Sequence, residues 1–215
     1  MNRNALLEES LVASQCIISI MGDHAGEGVA TIFERKIEDI TKCEVTFWLI
    51  KSPKAKPDLV QKMCRANPAY VLFVEPATKG GARPTVAAKK VTEFSEDGVA
   101  RNKLPPGLGP VTGNLNSCAY ALIFDALQVL DESRKVDLWN YADFDNPERP
   151  VKTILGCSTI CATKKKMANH PEKLKSRYRR IIAVARLIKP YCVWVNRSLT
   201  NHSTGWLMTT AQFLR

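Results

Sequence analysis

Histidine is scarce in this chain. It occurs three times, as His24, His170 and His202, and none of the three stands in a metal-ligand or catalytic frame. A G-x-S-x-G elbow, a phosphate loop and a dinucleotide fingerprint are also missing. Gly22, Gly26 and Gly28 do not read as the strand, turn and helix that such a fingerprint needs. No apolar run is long enough to cross a bilayer as a helix. The N-terminal apolar residues are broken by Glu8 and Glu9, which argues against a secretory leader. Acidic residues are outnumbered, 21 against 31 Lys and Arg, for a net charge of +10. These absences turn attention from small-molecule catalysis and membrane insertion toward polyanionic partners.

The seven cysteines are odd in number and irregular in spacing. Free thiols in a reducing compartment are the expectation, so an intracellular protein, cytoplasmic or nuclear. Cys157 and Cys161 form C-x3-C, but four residues of strand separate them by about 13 Å. No metal and no cofactor is expected. The basic charge is uneven. From Lys164 to Lys189 there are ten Lys or Arg and one acid, Glu172.

Hydropathy patterning predicts the elements. Residues 16–22, 28–37 and 44–51 read as strands of a meander. Pro57 and Asp58 open a short helix with Leu59, Val60, Met63 and Cys64 on its apolar side. Residues 69–76 and 88–94 read as strands. Three Pro and three Gly make 101–116 a long loop. Strands are expected at the start of 119–130, over 150–164 and over 191–195. Leu174, Tyr178, Ile181, Ile182, Ala185 and Ile188 recur at three and four residues, which predicts an amphipathic helix over 171–188. Residues 1–14 read as an N-terminal helix or arm. The expectation is one α+β domain over 1–215. Its sheet is curved, mixed or antiparallel and barrel-like, with the C-terminal amphipathic helix packed on it and 164–189 as a basic helical segment.

The phrase Phe47-Trp48-Leu49-Ile50-Lys51-Ser52 resembles the first strand of the PUA-like superfamily, in its EVE and YTH branches. Residues 71–94, 120–142 and the segment from Pro150 are similar to later parts of those domains. The resemblance spans about 43–188. It implies a reader of a nucleic-acid base, plain or modified, in a pocket near Trp48, Lys51 and Ser52.

The expected function is therefore non-catalytic nucleic-acid binding, to RNA or DNA, with no membrane partner. Trp48 and Trp139 would hold a base, with Lys51 and Ser52 on its edge. Lys173, Lys175, Arg177, Arg179 and Arg180 of the basic helix would meet phosphates, and Lys79 and Arg83 are further expected nucleic-acid contacts. Two alternatives are a nuclease-like enzyme, using Glu75, Lys79 and Asp58 on a metal, and a coat protein that packages nucleic acid. Oligomeric state is not legible.

Overall fold

The computed structural model describes residues 5–22, 28–50, 53–65, 69–76, 91–95, 102–103, 120–151, 159–165 and 178–197. The architecture is α+β, with every described strand in one mixed sheet.

Helix α1 (Ala5–Val12) leads into strand β1 (Gln15–Ile20). Helix α2 (Val29–Cys43) follows, then β2 (Thr46–Ile50), a short 3-10 turn (Pro53–Ala55), α3 (Pro57–Cys64) and β3 (Tyr70–Val74). Strands β4 (Val91–Ser95) and β5 (Asn102–Lys103) form a small pair. Strand β6 (Tyr120–Asp137) is 18 residues long and passes through a 3-10 turn (Leu138–Asn140) into β7 (Tyr141–Asp143). Strand β8 (Thr159–Lys164) and the 20-residue β9 (Tyr178–Arg197) complete the sheet. The order is β2-β6-β9-β3-β1-β8-β7, with β4 also on β9. Strands β1 and β3 are parallel, and every other pairing is antiparallel.

The sheet has two apolar faces, because its central strands carry bulk at every position. Ile17, Val71, Phe73, Leu122 and Ala185 face α2 and α3. Cys16, Ile18, Leu72, Val74 and Val184 face the opposite way, toward Leu7 of α1. A third cluster, with Val45, Phe47, Ala121, Ile123 and Val193, fills the far end. Enclosing a side chain such as Phe73, which is wholly buried, contributes about 2–3 kcal/mol.

Several expectations need correction. Residues 28–37 belong to helix α2, not to a strand. Val, Thr, Ile and Phe suit a strand over ten residues. Over fifteen residues, however, Ile32, Phe33, Lys36, Asp39 and Cys43 are the buried positions, and only a helix turns them to one side. Glu44, in the left-handed conformation at φ 62°, ends α2 by donating its N–H to the Ile40 carbonyl at 2.8 Å. Gly22 and Gly28 consequently do lie between a strand and a helix.

The helix expected over 171–188 is strand β9 from Tyr178 onward, and the rest of that segment lies outside the described residues. The basic segment 164–189 thus begins at the end of one strand and closes inside another. A continuous apolar run satisfies helical spacing as easily as strand spacing. Here β9 lies between β6 and β3, so both of its edges are paired. Ile181, Ile182, Val184 and Ile188 are β-branched, which favours the pleat.

The sheet is not closed into a barrel: β2 and β7 end the strand order. The loop expected over 101–116 includes strand β5, whose Asn102 and Lys103 pair with β4. The strand expected over 150–164 is described from Thr159.

Candidate nucleic-acid interface

Trp48 lies in β2 opposite Leu122 of β6. Alternation turns it toward α2, where its ring stacks near Phe33, with centroids 6.1 Å apart and planes at 28°. The edge contact with Phe73 is closer, at 4.7 Å. Trp48 is half-buried and packs against the core beneath α2 and α3. Its aromatic neighbours are therefore the protein's own phenylalanines.

Trp139 sits on the 3-10 turn at the other end of β6. The Asp137 carboxylate accepts its backbone N–H at 3.1 Å. An 18-residue strand thus separates the two tryptophans expected to hold one base, and the fold does not bring them together. Lys51, Ser52, Lys79, Arg83, Lys173, Lys175 and Arg177 lie outside the described residues.

Arg179 and Arg180 fall on opposite faces of β9 because strand side chains alternate. Arg179 is buried, and Arg180 is exposed. The fold does not present the two as one basic surface. Arg180 pairs in register with Lys135 of β6, which is also exposed, so the two cations share a face. Like charges in that position repel. Glu75 offsets part of this, with its carboxylate 3.6 Å from the Arg180 guanidinium.

Several other charges are matched. Arg186 meets Asp125 through two hydrogen bonds of 2.9 Å, and Arg134 meets Glu8 at 3.0 Å. Lys42 pairs with Glu38 on α2, and Lys56 with Asp58 at 3.5 Å. Two buried carboxylates each take a lysine. Asp39 takes Lys36 at 3.5 Å and the Thr46 hydroxyl at 2.8 Å, while the Lys36 ammonium lies 4.1 Å from the Phe47 ring centre. Asp143 takes Lys54 at 2.9 Å, and its other oxygen accepts the Asp145 N–H at 3.1 Å.

The described residues hold 18 Lys and Arg against 16 Asp and Glu. The remaining residues hold 13 against 5, so most of the excess positive charge lies there. Residues 77–90 alone carry Lys79, Arg83, Lys89 and Lys90 with no acid.

Carboxylates and thiols are not assembled for chemistry among the described residues. No group of three His, Cys, Asp or Glu there could hold a metal ion. Glu75 and Asp58, named for a nuclease site, are engaged by Arg180 and Lys56. Burial pushes the Cys16 and Cys64 thiols up to about 12, and Cys161 and Cys192 also lie well above the usual range. Thiols held neutral in this way are poor nucleophiles.

Three features escaped sequence reasoning. Lys54 reaches a buried acid, and no local pattern links it to Asp143. Lys135 joins Arg180 only through strand register. Tyr120 meets Trp194 across β6 and β9, with ring centres 4.5 Å apart. No protein-family model, curated protein or solved structure matches this chain.

Proposed function

We propose that this chain binds nucleic acid chiefly through its phosphates. The observation that carries the reading is the distribution of charge. The described residues are close to electroneutral, and several of their acids are paired with lysines or arginines. The surplus cations cluster in residues 77–90 and 166–177. Such clusters release counterions from a phosphate backbone and need no deep pocket. Lys79, Arg83, Lys173, Lys175 and Arg177 are the assigned phosphate contacts, with Arg180 and Lys135 at the sheet.

Titration of the chain with single- and double-stranded RNA and DNA across a salt series tests this. The expected result is an affinity that falls linearly on a log–log plot against salt, with a slope of several units. Absence of binding at low salt, or binding indifferent to salt, would overturn it.

A further inference from the structure

A second aromatic site lies at the far end of the sheet from Trp139. Tyr120 opens β6, and Trp194 is its register partner in β9. Ile50 of β2 lies beyond Tyr120, and Ser95 of β4 lies beyond Trp194, so four strands cross here in one row. The two rings share a face, because Tyr120 is two residues before Leu122 and Trp194 two after Cys192. Leu122 and Cys192 both point into the core beneath α3. The ring centres lie 4.5 Å apart with their planes at 56°. Both residues are half-buried, and Tyr120 packs against the core beneath α3.

We infer that the Tyr120–Trp194 pair is a stacking platform for an unpaired base of single-stranded nucleic acid. The inference rests on the phosphate-binding reading above and adds the part of the ligand that phosphates do not supply. Partly accessible aromatic rings on a strand surface stack bases of any identity, because every base has a π-face. The occupant is anionic and planar, which fits a chain of net charge +10. An apolar protein partner would gain nothing from that charge. Trp48 is unsuited to the role, since Phe33 and Phe73 already occupy its ring.

The test compares a ten-nucleotide single strand, as RNA and as DNA, with heparin, a polyanion without bases. Trp194→Val keeps a strand-forming residue and removes the ring. Its affinity for the oligonucleotides should fall about fivefold to hundredfold, with heparin affinity unchanged. Trp194→Phe keeps a ring and should retain most of the oligonucleotide affinity. Oligonucleotide should also quench tryptophan emission in the native chain, and Trp194→Phe should lose much of that quenching. If Trp194→Val fails to fold, the quenching comparison decides alone. Unchanged oligonucleotide affinity in Trp194→Val, or equal quenching in the native chain and Trp194→Phe, would overturn the platform while heparin binding upholds the charge reading. A native chain that binds neither ligand would overturn both. Loss on RNA alone or DNA alone would identify the strand it serves and support the platform.

Discussion

Lys54 holds its ammonium 2.9 Å from Asp143, a carboxylate with no solvent exposure, while the lysine side chain itself is 27% exposed. The pair ties the turn after β2 to β7, two segments far apart in sequence. Removing the cation strands a buried negative charge. Lys54→Met should therefore destabilise the fold by about 2–4 kcal/mol, somewhat under a fully enclosed pair because Lys54 reaches water. Asp143→Asn removes the charge and keeps an oxygen for the Asp145 N–H, so it should cost less. Urea midpoints of the two variants check the order, and a milder Lys54→Met would refute it.

The buried thiols predict a loss of stability in alkali. Cys16 and Cys64 are raised by burial from an ordinary 9.0 to about 12. Once unfolded, they ionise near 9. Below pH 9 both states keep the proton and these groups leave stability unchanged. Between pH 9 and 12 the unfolded state sheds protons that the folded state retains, so stability falls. Each thiol contributes about 1 kcal/mol per pH unit in that window. Thermal melts from pH 8 to 11 should show the decline, and Cys64→Ala should make it shallower.

Trp48→Ala separates packing from binding. The ring fills space between Phe33 and Phe73, so its loss should cost about 2–4 kcal/mol by leaving a cavity. Oligonucleotide affinity of the folded variant should stay within twofold of the native chain. A tenfold loss of affinity at an unchanged melting temperature would return Trp48 to the ligand site.

Much of this fold was legible wherever one element explained its own pattern. The first turn of α3 announces itself by Pro57 and Asp58, and β3 by five consecutive buried residues. Helix α2 was hidden because its buried face includes Lys36 and Asp39, whose partner Thr46 lies beyond the helix. Strand β9 was hidden because Tyr178, Ile181, Ile182, Ala185 and Ile188 also recur at helical spacing, with Arg179 and Arg186 between them. The site was less legible still. Whether Trp48 lines a pocket depends on Phe73, 25 positions away in sequence. The pairing of Tyr120 with Trp194 depends on a register set by the long β6 and β9 strands.

The charge reading makes a graded prediction. Changing Lys79, Arg83, Lys89 and Lys90 together to Gln should flatten the salt slope by about 3–4 on double-stranded DNA. Changing Lys135 and Arg180 to Gln should flatten it by about 1–2. Equal slopes in the native chain and the fourfold variant would remove residues 77–90 from the interface.

Strand β9 is also the last described strand to leave the ribosome. It is the seam between β6 and β3 and the attachment of β4, so until it arrives the described strands form three unjoined pieces, β2-β6, β3-β1-β8-β7 and β4-β5. Each then offers an edge with unmet backbone hydrogen bonds, open to other nascent chains. The same placement makes nearly every pairing of β9 a long-range one, so closure is late in time as well as in synthesis. Translation that stalls before Tyr178 would release a sticky half-product, and chaperone demand for this protein should be set by the interval between the synthesis of β6 and that of β9.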